Sequence, residues 1–471
     1  MNSCLTGSKQ RRLIQDSLRK IGLTNWSKKA ELNNGELITS RRPNAKHYVG
    51  AIGFKICPYC YGQYSKKGLR LHVRYKCPSK PIVNHQKAKG ERVITALGTV
   101  VESRCHENTS DALQKVYKSL RDDALARSIK FDWLLTIYGN KLAAKSTKRK
   151  SRLVIKNKLR LAGRFLCELK GVNSEIKDIA TSYHPKYFDD VIKAIQVVAR
   201  FDGERGEYGA PATALSCVTV IKHIGGVLIN VFIRRDDREG QRITENFMTL
   251  VNSEIHAIIN KQANENRNTI KRRKKVNLPL KNDISKLAQY LQSESNHYFD
   301  KLSTSTLFDY DAWHELAKLT MSSIIVFNRK RVGDVESITV EDFYCKEEVN
   351  EETNEHLFAS LSAESKEIAK SYSQMNVRGK WDRTVPVLLN SMMEKNINLL
   401  LSHRASAGLP SKNEFLFGLP SSIEDDKVIN AGKTLCKFAE LSGAKNPSSL
   451  IGTNMRKQLA TYCASIELND A

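Results

Sequence analysis

From Ser110 onward the chain alternates apolar and polar residues at three- and four-residue steps, the period of an amphipathic helix. The segments DALQKVYKSLRDDALARS, SRLVIKNKLRLAGRFLCELKG and YFDDVIKAIQVVARFD all carry this pattern. In the second, Leu153, Leu159, Leu161, Phe165 and Leu166 fall on one broad apolar face. The stretch from Ala212 to Asn260 continues the helical character. After about residue 276 the pattern becomes mixed. ESITVEDFYC has β-branched residues near its middle, and MNVRGKWDRTVPVLL reads as strand, turn, strand with Gly379 at the turn. TNMRKQLATYCASIEL is helical again, with Met455, Leu459, Tyr462 and Ile466 forming an apolar stripe that assigns Tyr462 to the core. Thr453 or Asn454 is placed to cap it. The expected fold class is mainly α with a small antiparallel β-sheet.

Charge narrows the choice of partner. The 471 residues carry a net charge of +26, which favours polyanions because each neutralised phosphate releases condensed counterions. Residues 1–45 are polar, basic and without periodicity, and are expected to be mostly flexible. The opening MNSCLTGSKQRRLIQ lacks the apolar core of a secretory signal, and no run reads as long enough to span a bilayer. Lys271, Arg272, Arg273, Lys274 and Lys275 form a compact run before Pro279, expected to be a linker. It reads as a solvated loop, an import signal or a DNA-phosphate clamp.

Cysteine spacing supplies the first chemistry. Cys57 and Cys60 are followed by His72 and Cys77 in the pattern C-x2-C-x11-H-x4-C, a tetrahedral donor set of the kind zinc prefers. Tyr64 and Leu69 stand where a small finger needs its apolar residues, and so small a unit would take its stability from structural zinc. Lys66, Lys67, Arg70 and Arg74 lie in or beside its expected helix. Such a finger could contact DNA or protein. Cys105, Cys167, Cys217, Cys345, Cys436 and Cys463 show no framework spacing and are expected to be buried reduced thiols.

Three further motifs follow in order. NRKRVGDVESITVEDF contains Arg331, an acid at Asp334, then Ile338 and Asp342. Taken alone, Arg331 and Asp334 read as a surface ion pair. VRGKWDRTVPVLL places Lys380 in a hairpin turn ahead of Val385-Pro386-Val387, and TNMRKQLAT contains Arg456 ahead of Ala460-Thr461. Together these resemble the first arginine box, the lysine hairpin and the second arginine box of tyrosine recombinases and phage integrases. The finger and the phrase Gly443-Ala444-Lys445-Asn446-Pro447 are similar to those of eukaryotic, invertebrate-type members. The resemblance covers most of residues 50–471.

It implies a flexible basic N-terminus at 1–45, a C2HC zinc finger at 46–80, a helical core-binding-like domain at 100–270 and a catalytic-type domain at 276–471. Double-stranded DNA is the implied partner, with room for a homo-oligomer on it. The expected location is the nucleus; no membrane, no small-molecule substrate and no catalytic cofactor are implied. Arg331 and Arg456 would offer planar forks to phosphate oxygens, and Lys380 would protonate the leaving oxygen. The departures are also specific. Thr453 stands where the family has His, Lys457 and Gln458 follow Arg456, and the sequence stops at Ala471, before the segment that carries the nucleophilic Tyr. The expectation is a DNA-binding protein of recombinase type, inactive as given. The alternatives are an active recombinase with more chain beyond Ala471 and a nuclear zinc-finger protein that binds other proteins.

Overall fold

The computed structural model describes residues 8–28, 54–80, 105–121, 123–145, 149–349, 362–421 and 426–469. It is mainly helical, with three small antiparallel sheets among these residues. The chain divides into two compact units, Met1–Lys274 and Lys275–Ala471.

The first unit opens on helix α1, Lys9–Lys28, where the sequence lacked a clear period. Strands β1 (Phe54–Ile56) and β2 (Gln63–Ser65) pair antiparallel and lead into helix α2 (Lys66–Leu71). A π-turn, His72–Lys76, continues that helix. The Ser65 hydroxyl caps α2 by accepting from the Gly68 N–H.

The larger part of the unit is a helical bundle: α3 (Asp111–Lys118), α4 (Ala124–Phe131), α5 (Trp133–Lys145), α6 (Arg149–Val172), α7 (Phe188–Val198), α8 (Pro211–Arg234), α9 (Arg238–Ser253) and α10 (Lys261–Arg273). A two-stranded ribbon, β3 (Phe201–Asp202) with β4 (Glu207–Tyr208), joins α7 to α8. Buried Asp132 accepts from the N–H groups of Leu135 and Ile179 and so ties the start of α5 to a distant loop. On α6, Leu159, Leu161, Phe165 and Leu166 are buried as expected, but Leu153 is 47% exposed near the helix start.

The expectation that no segment could span a bilayer needs correction. Helix α8 is long and apolar enough to do so by length and composition. Its Cys217, Ile221, Ile224 and Leu228 are buried in the bundle core, which explains so apolar a helix. A Cβ at Gly225 would collide with Met248 and lie 2.9 Å from Tyr183 Cε1, so glycine permits α9 to approach α8.

The basic run is only partly linker. Lys271, Arg272 and Arg273 form the last turn of α10, where cations oppose the negative end of the helix dipole. Lys274 is the residue after the helix, the division between units follows it, and all five side chains are exposed.

The second unit contains α11 (Lys281–Thr304), α12 (Tyr310–Asn328), α13 (Val332–Val335), α14 (Val340–Tyr344), α15 (Ala363–Lys370), α16 (Ser391–Ser402), α17 (Ala431–Leu441) and α18 (Gly452–Asn469). Its sheet runs β5 (Glu347–Glu348), β6 (Tyr372–Arg378), β7 (Thr384–Asn390), all antiparallel. The hairpin is where the alternation put it, with Met375, Val377, Val387 and Leu389 buried. ITVEDF, by contrast, is not a strand. Thr339 makes a single bridge to Phe415, then its hydroxyl and the Asp342 carboxylate form a reciprocal capping box that starts α14.

Helix α12 is the centre of this unit. Trp313, Leu316, Ala317 and Ile324 are all buried, and the Trp313 indole donates to the Leu400 carbonyl at 3.0 Å. Asn328 at its end both donates to and accepts from Leu388 of β7, at 2.8 Å each way. The GAKNP loop also has a structural task. Buried Asp283 of α11 accepts from the N–H groups of Lys445 and Asn446, and Gly443 takes a left-handed φ of 68° at the end of the preceding helix.

Two expectations fail on exposure. Tyr462 is 57% exposed and is not a core residue. Only Gly452 and Met455 of α18 are buried among its described side chains, because no described element covers its later turns. Of the six scattered cysteines only Cys217 is buried; Cys105 is half-buried, and Cys167, Cys345, Cys436 and Cys463 are exposed. All are free thiols, and the exposed four sit on outer positions of their elements.

Candidate functional site

The ββα unit brings Cys57, Cys60, His72 and Cys77 together, with their ligand atoms all within 4.8 Å of one another. Cys57 and Cys60 flank the turn after β1, and the Cys57 N–H donates to the Gly62 carbonyl at 2.7 Å. His72 begins the π-turn and Cys77 ends it, so the wider turn sets the spacing of the second pair. Cys57 Sγ lies 3.8 Å from Cys77 Sγ, and Cys60 Sγ lies 3.2 Å from His72 Nε2. The Tyr64 ring stacks on the His72 imidazole with centroids 4.0 Å apart. A shared hydrogen bond divides the first two thiols: Cys60 is pulled down to about 4, while Cys57 is pushed up by that bond and by burial. Only Cys57, Leu69 and Val73 make the buried core here. The cluster can hold a metal ion, and few apolar groups would hold the loops without one.

In the second unit, Arg331 stands at the start of α13, its carbonyl accepting from the Asp334 N–H at 2.9 Å. Its guanidinium Nη1 lies 3.9 Å from Asp334 Oδ2, with Arg331 48% and Asp334 6% exposed. The pair is therefore an ion pair, with a buried carboxylate beneath a half-exposed arginine. Such a pair orients the guanidinium while leaving other N–H groups toward solvent.

Arg456 lies on the second turn of α18 and is half-buried. Two contacts bring its helix to the Arg331 turn. Val332, the neighbour of Arg331, packs on Gly452, where a Cβ would lie 2.5 Å from Val332 Cγ2. Gly452 and Arg456 are four residues apart, hence on one helix face. In addition, Arg329 Nη1 donates to Gln458 Oε1 at 2.9 Å. Arg329 itself closes α12 in a left-handed conformation, φ 50°, and its Nε donates to the Val326 carbonyl at 2.8 Å. Burial holds its pKa below the usual arginine range. Gln458 thus has a positioning task, holding the Arg329 guanidinium.

Lys380 is exposed in the turn between β6 and β7, within a short 3-10 segment, Lys380–Asp382. Gly379 N–H donates to Arg383 O at 2.7 Å, and Arg378 pairs with Asp382 across the turn. Strand β6 packs against α13. Thr453 and Asn454 do not cap α18; they lie inside its first turn, and Asn454 Nδ2 donates instead to the Asn277 carbonyl at 3.3 Å. Of the basic run, Lys271 to Lys274 belong to the first unit, and Lys275 opens the second.

The sequence reading missed Arg329 and Gly452. The signal for Arg329 was slight, a third cation beside Lys330 and Arg331; Gly452 stood as an unexplained glycine one turn before the arginine.

No known family profile and no characterised protein sequence matches the chain. Among the solved structures that are similar to it at low level are two complexes of one protein. One is a pre-cleavage complex of the XerH site-specific recombinase with its difH substrate, at 13% identity over 82% of each chain and a TM-score of 0.37. The other is XerH on palindromic difH after cleavage, at 12% identity over 73% of this chain and 81% of that one, TM-score 0.34.

Proposed function

We propose that this chain is a DNA-binding protein of tyrosine-recombinase type, in which Arg331 and Arg456 grip a backbone phosphate. The observation that carries the reading is the joining of their two turns by the Val332–Gly452 packing and the Arg329–Gln458 hydrogen bond. The arginines are 125 positions apart in sequence, and neither contact serves the other's local element. One fork over a buried carboxylate, with a second arginine on the joined turn, suits a charge with planar, bidentate geometry, such as a phosphodiester. Lys380, on the hairpin packed beside α13, is the third member, as a proton donor or a further phosphate contact. The surplus of 26 positive charges fits duplex DNA as the partner, and the same reading puts the protein in the nucleus.

Zinc fits the metal cluster. In a tetrahedron with metal–sulfur bonds of about 2.3 Å, neighbouring sulfurs stand about 3.8 Å apart. The Cys57 to Cys77 separation is 3.8 Å. Its role in this reading is structural, with no step of the chemistry passing through it.

Strand cleavage in this family needs a tyrosine nucleophile. Tyr462 is solvent-accessible, but it lies six residues beyond Arg456, about 120° around the helix and about 9 Å along it. It is off the face that Arg456 presents, so the proposed task of the described residues is binding rather than cleavage.

Equilibrium binding to duplex DNA across a salt series tests the reading. Wild type should bind tightly at low salt with a steep slope, and Arg331→Ala and Arg456→Ala should each lower the slope by about one. Absence of duplex affinity at low salt sinks the proposal. Incubation with a nicked suicide duplex should yield no SDS-stable adduct; an adduct abolished by Tyr462→Phe would overturn the assignment of binding alone.

A further inference from the structure

Helices α11, α12 and α16 of the second unit pack on one another and leave a cavity of about 560 Å³ between them. That volume suits one small organic molecule. Leu291, Val326 and Met393, all buried, form its apolar wall. Phe327 lines it from an exposed position, stacked on Tyr372. Two polar groups interrupt this apolar lining.

The first is Asn396, only 2% exposed. Its Nδ2 donates to the buried Ser295 Oγ at 2.7 Å, while its Oδ1 has no partner among the described residues. Turning the amide over does not resolve this, since the Ser295 hydroxyl would then donate to Oδ1 and Nδ2 would be left. A buried amide with one atom unmet favours a ligand that supplies the missing partner. The second is Arg329, alone in being charged among the described lining residues. Its Nε and Nη1 are committed to the Val326 carbonyl and to Gln458. Its Nη2 makes no hydrogen bond among the described residues, and no carboxylate there pairs with it. A half-buried cation with no acid beside it has lost hydration without compensation.

We infer that this cavity binds a small amphiphilic organic anion, with its apolar body between α11, α12 and α16, a hydrogen-bonding group on Asn396 and its acidic head on Arg329. The head makes a charge-assisted hydrogen bond to the guanidinium, the strong class of polar contact. The unbranched side chains of Met392 and Met393 adapt the apolar wall to the body. The inference stands apart from the DNA-binding reading, since Arg331, Lys380 and Arg456 do not line the cavity.

The test compares two fluorescent probes on the full chain. Anilinonaphthalene sulfonate has an aromatic body, an N–H and a sulfonate; N-phenylnaphthylamine has the same body and N–H without the charge. Fluorescence titration should give a saturable site, about tenfold tighter for the sulfonate. Arg329→Asn, chosen because Asn tolerates the left-handed φ of 50°, should remove that preference and leave the neutral dye within about twofold. Ala288→Phe, which puts a ring into the cavity from α11, should weaken both dyes about tenfold or more. Asn396→Leu should weaken both by a similar factor, because each offers its N–H there; unchanged affinity removes the amide from the site. Leu459→Ser, on the exposed part of α18, controls for adsorption on uncovered helix and should change neither. A sulfonate preference that survives Arg329→Asn overturns the anion assignment. Lack of a saturable site, or binding that Ala288→Phe leaves intact, overturns the cavity as a binding site. Thermal melts accompany each variant, and where Arg329→Asn is unfolded Arg329→Gln takes its place.

Discussion

The finger and the arginine pair are two ways of holding polar groups in place, and they depend on different things. In the finger, Cys57, Cys60, His72 and Cys77 converge over a core of three buried residues. In the second unit, Arg331 and Arg456 sit on turns fixed by a large core around α12. The finger's geometry is hostage to what it binds. The arginine geometry is set by packing before any ligand arrives. Metal should therefore matter to folding in the first region, whereas ligand should matter only to occupancy in the second.

The largest expected effect breaks that contrast most directly. Chelation, or Cys57→Ser, should abolish ordered structure across residues 54–80 while leaving the second unit's unfolding transition in place. Amide exchange on each region checks this, and a finger that stays protected without metal would dissolve the contrast. Next is Asp283→Ala, which strips the N–H groups of Lys445 and Asn446 of their buried acceptor. It should cost about 2–4 kcal/mol in denaturant titrations of the second unit. An effect below about 0.5 kcal/mol would mean that the GAKNP loop finds another acceptor.

Gly452→Val should cost about 1–3 kcal/mol, since its Cβ has no room beside Val332. It should also weaken DNA binding more than Thr453→Val, whose side chain is exposed on the same turn. Equal losses for the two would break the link between packing and arginine spacing. The smallest effect is pH-dependent. Burial, then the charge of Lys318, depresses the pKa of His314 from 6.5 to about 4. Because the unfolded chain protonates first, stability should fall as pH drops from about 6.5 to 4, by roughly 1–2 kcal/mol after solvent screening. His314→Gln should flatten that window in melts, and an unchanged profile would remove His314 as its source.

The same contrast explains what could be read from residues alone. The Cys and His cluster is local, so spacing was enough to name the four residues that converge in it. The β6–β7 hairpin was equally legible, because alternation and Gly379 act over a few residues. The packing of Val332 on Gly452, which joins the turns that carry Arg331 and Arg456, has no periodicity to announce it. Periodicity also misled. Tyr462 and Leu153 belong to apolar stripes that are buried elsewhere along their length, yet both are exposed, and a stripe says nothing of how far its cover reaches. ITVEDF has β-branched residues, yet the Thr339–Asp342 capping box decides its conformation.

Helix α18 is seated by Gly452 and Met455, tethered at Gln458, and exposed from Leu459 through Ser465. Among the described residues it is mechanically a cantilever, fixed at one end and uncovered as far as Ser465. A load on the free half acts with a long arm on the fixed turns, which are the ones that carry Arg456. A small tilt of the helix would accordingly shift Arg456 relative to the Val332–Gly452 contact.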